Sequence, residues 1–167
     1  MKRRSRISIT SWLLHSILAL FLVANIVNCG GSSSGPAQVQ APKALIQDFI
    51  AKHEIMVDAS LVDYYIAAEQ PTVAAAIQKA IDEKSAAGEL EKLQNTAFDF
   101  SNLQIAVVGE KEEYVDDQPT KLIKVSVSGS YIMKQDNSEQ TITANDTIIL
   151  GMVDNTWKVT EKINPWS

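Results

Sequence analysis

Ile123-Lys124-Val125-Ser126-Val127-Ser128-Gly129-Ser130-Tyr131-Ile132-Met133 decides the fold. Ile123, Val125, Val127, Gly129, Tyr131 and Met133 alternate with Lys124, Ser126, Ser128 and Ser130. Successive side chains of a strand point to opposite faces, so strict alternation predicts a long strand with one buried face. Gly129 in its middle fits a place where a sheet bends.

The stretches around it repeat the pattern. Upstream, from Phe98 onward, Leu103, Ile105 and Val107 alternate with Gln104, Ala106 and Val108 and run into an acidic segment at Glu110, Glu112 and Glu113. Downstream, Asp136-Asn137-Ser138 reads as a turn, and Ile142, Ala144, Ile148, Leu150 and Met152 mark a third strand with Asn145-Asp146 as a bulge. Asp154-Asn155 is a tight hairpin signal. The last strand sets Trp157, Val159 and Ile163 against Lys158, Thr160 and Lys162.

Before Phe98 the period is that of a helix. After Pro42, a residue suited to a helix start, Ile46, Phe49, Ile50, His53, Met56 and Val57 share one face. Ser60-Leu61-Val62-Asp63 is placed to cap a second, short helix carrying Tyr64, Tyr65 and Ile66. Gln70-Pro71 starts a third, with Val73, Ile77, Ala80 and Ile81 as its stripe and Gly88 just past its end. A short turn through Leu90 and Leu93 follows, and Ala74, Ala75 and Ala76 favour close helix packing. Helices followed by meandering strands predict an α+β fold, with N-terminal helices packed on one face of a curved four-stranded antiparallel sheet.

The beginning of the chain is of a different kind. Lys2, Arg3, Arg4 and Arg6 precede an almost wholly apolar run from Trp12 to Val27, the layout of an export signal. At about 16 residues the run is short for a membrane span, which needs about 20. Cys29 is the only cysteine, and Gly30-Gly31-Ser32-Ser33-Ser34-Gly35 follows it as a flexible spacer. The sequence thus divides into a signal (1–28), a cysteine with its tether (29–40) and one domain (41–167).

Ile26-Val27-Asn28-Cys29 resembles the lipobox of bacterial lipoproteins, although Asn28 stands where Gly, Ala or Ser is usual. The resemblance implies that Cys29 receives a diacylglycerol and becomes the mature N-terminus. Acyl chains contribute about 0.8 kcal/mol per buried methylene, so two or three hold a protein at a membrane permanently. Gly30 in place of aspartate after the cysteine implies the periplasmic side of the outer membrane, with the outer leaflet of the inner membrane as the alternative. The other reading of this segment is an uncleaved signal anchor, with Cys29 a spectator.

Removing residues 1–28 takes away four basic residues and no acid, leaving eleven lysines, no arginine and 20 acids, a net charge near −9. This balance argues against nucleic acid and anionic lipid surfaces as partners. With a single cysteine no internal disulfide forms, and stability rests on the core.

Over 41–167 the order of elements, and the ending Asp154-Asn155-Thr156-Trp157-Lys158-Val159, resemble the nuclear-transport-factor-like and cystatin-like folds. Small bacterial lipoproteins with such domains are similar. Enzymes of the nuclear-transport-factor-like fold use a cavity between helices and sheet, with an acid or a His–Asp pair inside. That implies His53, Asp63, Tyr64 and Tyr65 as candidate cavity-lining residues, and an isomerase or hydratase built on Asp63 with Tyr64 and Tyr65 as one function. Against it stand the roles these residues fill in any fold. His53 sits on an apolar helix face, Asp63 is a helix-capping acid, and the tyrosines are core. Asp99 reads as a turn residue, the acids from Glu110 to Asp117 as a solvated edge, and Trp166 as a cover for its own sheet. No ligand spacing for a metal, nucleophile elbow or phosphate loop occurs in the domain, so no cofactor is expected. The functions that remain are a non-catalytic module for a small apolar ligand or an envelope protein, or a homodimer formed through the outward face of Ser126, Ser128 and Ser130.

Overall fold

A computed structural model describes residues 39–115 and 117–167, so the expected signal, Cys29 and the expected tether up to residue 38 lie outside the described residues. Helix α1 (Lys43–Ile55) starts after Pro42 and ends on Met56, whose backbone is left-handed (φ 51). Ile46 and Phe49 form its buried stripe. A 3-10 helix, Ala59–Tyr64, follows.

Its cap is Asp58 and not Asp63. The Asp58 carboxylate accepts the Ser60 N–H (2.9 Å) and the Ser60 hydroxyl (2.7 Å). Burial pulls this carboxyl upward, but the hydrogen bonds from Ser60 and Lys52 outweigh it and hold the group below the usual aspartate range.

Helix α2 (Gln70–Ala86) buries Ile77, with Val73 and Ile81 half-buried beside it. Ala74, Ala75 and Ala76 are all exposed, contrary to the close packing expected of them. Consecutive helical residues do not share a face, so a run of three cannot line one contact. Gly88 (φ +70) ends the helix, donating its N–H to the Ser85 carbonyl (3.0 Å), and the short α3 (Leu90–Gln94) completes the helical half.

The sheet has five antiparallel strands rather than four: β1 (Ala97–Asp99), β2 (Leu103–Val115), β3 (Gln118–Gln135), β4 (Ser138–Val153) and β5 (Thr156–Thr160). The extra strand arises because the first expected strand is broken. Asp99 accepts the Ser101 N–H (3.0 Å) and the Phe100 carbonyl accepts Leu103 N–H (3.0 Å), a tight turn that divides it. β1 and β2 then lie end to end on the same edge of β3, with Phe98 opposite Met133 and Leu103 opposite Gly129. Gly129 faces the break with φ +96, and a Cβ there would lie 2.4 Å from the Asn102 carbonyl oxygen. Only glycine meets both conditions.

β3 carries β4 on its other side, and β4 carries β5. Asp154 and Asn155, with φ 48 and 59, make the β4–β5 turn, as a hairpin of the type I′ class requires. Asn145 and Asp146 form no bulge: they pair in register with Ser128 and Val127. The register shift is in β2, between Val107 and Gly109. Period two runs unbroken from Ile142 to Met152, so Asp146 takes an inward position on the line of Ala144 and Ile148.

Ile46, Phe49, Leu61, Tyr65 and Ile77 from the helical half pack with Ile105, Ile123, Val125, Val127, Tyr131, Ala144, Leu150 and Val159 from the sheet. All the β3 residues among these are odd-numbered, so the helices cover one face. Each large aliphatic side chain buried here contributes about 1.5–3 kcal/mol. The other face shows Ser126, Ser128 and Ser130, half-buried between their neighbours on β2 and β4.

Two further contacts cover the sheet, one at an edge and one on a face. Tyr65 bridges Val159 in parallel, and Ile66 N–H donates to the Val159 carbonyl (3.1 Å), covering the edge of β5. Trp166 lies against Gly109, where a Cβ would meet the indole Nε1 at 2.8 Å. Lys111 Nζ donates to the Pro165 carbonyl and sits 5.5 Å from the Trp166 ring centroid. Trp166 thus covers its own sheet, as expected.

Ile163 lies beyond β5 rather than within it. Glu69, only 3% exposed, accepts the Thr160 hydroxyl (2.6 Å), Glu161 N–H (3.0 Å) and Lys162 N–H (3.4 Å). Two backbone donors that a longer strand would place in a ladder are held by this carboxylate instead. Among the described residues no helix is long and apolar enough to cross a membrane.

Candidate functional site

β5 pairs only with Ile149–Val153, so the rest of β4 has no strand on that side. A cavity of about 510 Å³ lies there, under the last turns of α1. Phe49, Ile50, His53 and Glu54 line it from α1, at positions that fall on adjoining helix turns. Lys124, Val127 and Tyr131 come from β3, Ala144, Asp146 and Ile148 from β4, and Val159 from β5; Glu161 and Asn164 follow β5. The size suits a small molecule, and apolar and polar side chains share the lining in about equal measure.

The rings and carboxylates are ordered among themselves. Tyr131, 4% exposed, donates its hydroxyl to Glu54 Oε1 (2.6 Å). Burial, the hydrogen bond to Glu54 and the charges of Glu54 and Asp146 all raise the Tyr131 phenol far above its ordinary value. Tyr65, 2% exposed, donates to Glu161 Oε1 (3.0 Å), and burial followed by the Glu161 contact raises it in the same way. Both phenols are neutral donors at any physiological pH. His53 is exposed and its ring lies 5.4 Å from that of Phe49. Among the described residues the side chains of Asp146, Lys124 and His53 make no hydrogen bond or ion pair.

Of the four residues that the resemblance points to, the structure places only His53 in this cavity. Asp63 and Tyr64 line a second, more open depression of about 500 Å³, with Asp48, Lys52, Ser60, Trp157 and Lys158. Tyr65 lines neither. The acid–phenol trio does not converge because it sits at the end of a 3-10 helix, where successive side chains point about 120° apart. Tyr64 donates to Asp48, and Tyr65 points to Glu161. Asp63 is exposed, and its carbonyl accepts Lys158 Nζ (2.5 Å).

The second depression is tied together from within. Lys52 Nζ donates to Ser60 Oγ (2.6 Å), pairs with Asp58 (3.3 Å) and Asp48 (3.7 Å), and lies 5.4 Å from the Tyr64 ring centroid. Burial, then the Asp48 hydrogen bond and charge, push the Tyr64 phenol up to about 12.

Glu54, Tyr131, Asp146 and Glu161 are the polar groups that sequence reasoning did not assign to a site. Asp146 was open to discovery, because a charged residue stands on the inward register of β4. Glu54 and Glu161 carried no such signal. Among the described residues no group of His, Cys, Asp and Glu is arranged to hold a metal ion. No protein family matches the chain, and no curated protein matches its sequence.

Proposed function

We propose that this chain is an exported lipoprotein, anchored through Cys29 on the periplasmic side of the outer membrane, whose domain is a non-catalytic binding module. The observation that carries the binding part is the cavity between α1 and β4, where apolar surface adjoins charged side chains with no partner among the described residues. The basic start, the apolar run and the lone Cys29 before a Gly/Ser tether support the anchor. Helices that precede an antiparallel meander and cover one face of it favour the nuclear-transport-factor-like or cystatin-like fold.

Intact mass of the protein extracted from membranes, beside a Cys29→Ala variant, tests the anchor. The expected mass is that of residues 29–167 plus acyl chains, and the variant lacks the added chains. A chain that still begins at Met1 with an unmodified thiol overturns it in favour of a signal anchor.

A second reading, self-association, draws on Val108 and Tyr114, the large apolar side chains of β2 left 57% and 78% exposed. Light scattering across a concentration series decides it: a constant monomer mass excludes a homodimer.

A further inference from the structure

We infer that the ligand of the α1–β4 cavity is a small organic cation with an apolar body, held by Glu54, Asp146 and Glu161. The inference deepens the binding-module reading and rests on it.

Three carboxylates line the cavity against one lysine, so an anion entering it meets like charge. Of the charged groups with capacity left over, three are carboxylates and one is Lys124, with donors on His53, Thr147 and Asn164 beside them. Glu54 and Glu161 each use one oxygen, Oε1, on a tyrosine hydroxyl, which leaves the second oxygen of each. Asp146 has both of its oxygens open among the described residues, and an ammonium group carries only donors. The two phenols cannot serve as extra donors, because their protons are already given to Glu54 and Glu161. The aromatic faces of Phe49 and Tyr131 add an attraction for cations over anions of the same shape. Apolar contact with Ile50, Val127 and Ile148 accounts for the body of the ligand and disfavours a bare inorganic ion.

The test compares three probes of one shape on the full chain: phenethylamine, hydrocinnamate and phenethyl alcohol, followed by methyl NMR of Val127, Ala144 and Ile148 and by calorimetry. Phenethylamine is expected to shift these methyls and to bind about tenfold more tightly than hydrocinnamate, a gap of about 1.4 kcal/mol. Its affinity falls with added salt, as expected where charge carries part of the binding. Asp146→Asn and Glu54→Gln each weaken it several-fold; Gln keeps an acceptor for Tyr131, and Asp146 has no partner among the described residues to lose, so both variants fold. Equal binding of the three probes, or amine binding indifferent to both substitutions, overturns the cationic ligand while leaving a binding cavity. If no probe moves the cavity methyls, the binding reading of this cavity fails with it.

Discussion

Two carboxylates on the same domain have opposite surroundings. Glu69 is buried and accepts three hydrogen bonds from the end of β5 and the two residues that follow it. Asp146 faces the cavity, exposed and without a partner among the described residues. The same division separates the corner around the 3-10 helix, where Asp48, Lys52, Asp58, Ser60 and Tyr64 satisfy one another, from the space under α1. A polar group whose bonds are all made by its own chain holds the fold. One facing open volume is available to something else. The density of charged and aromatic residues would have favoured the wrong corner, since Asp63, Tyr64 and Tyr65 are contiguous there.

The contrast breaks first at Glu69. Glu69→Ala leaves a buried hydroxyl and two N–H groups without their acceptor and is expected to cost about 3 kcal/mol in urea unfolding. Should it cost no more than Asp146→Asn, the distinction between engaged and unengaged acids has no energetic content. Gly129→Ala comes next, at about 2 kcal/mol by the same measurement, because the new methyl is strained at φ +96 and collides with the Asn102 carbonyl.

Tyr64 supplies a test by pH. Its phenol rises from 10.0 to about 12 in the folded chain, so the unfolded state releases the proton first. The stability it lends is complete below about pH 10 and is lost as pH rises through about 12. Unfolding midpoints taken across this window should fall less steeply in Tyr64→Phe than in the parent; an unchanged slope removes Tyr64 from the braced corner. The smallest effect is that of Asp146→Asn, expected to shift stability by less than about 0.5 kcal/mol, as a surface group with no internal role should. A larger loss in chemical unfolding would make Asp146 structural and blunt the comparison.

Much of the architecture could be read from local pattern. The alternation from Ile123 to Met133 and the Asp154-Asn155 turn are determined by neighbours in sequence, and both stand in the structure. The break at Ser101-Asn102 was hidden because it depends on Gly129 pairing opposite it, a contact across the sheet. The site was less legible still. Glu54 and Tyr131 meet only when α1 lies on β3, and Glu161 reaches Tyr65 only through the packing of β5. Asp63 misled because adjacency along a 3-10 helix scatters side chains instead of gathering them.

The bond between Thr160 and Glu69 spans 91 positions of the chain. Together with the Tyr65–Val159 bridge, it ties the link between the 3-10 helix and α2 to the last strand. Contacts this distant in sequence form only after much chain entropy has been lost, which slows folding and makes it cooperative. α1 can already rest on β3 through Tyr131 and Glu54, but the corner between the 3-10 helix and α2 stays open until β5 arrives. As the chain is made, this corner remains incomplete until Val159 to Lys162 have emerged, and only then closes.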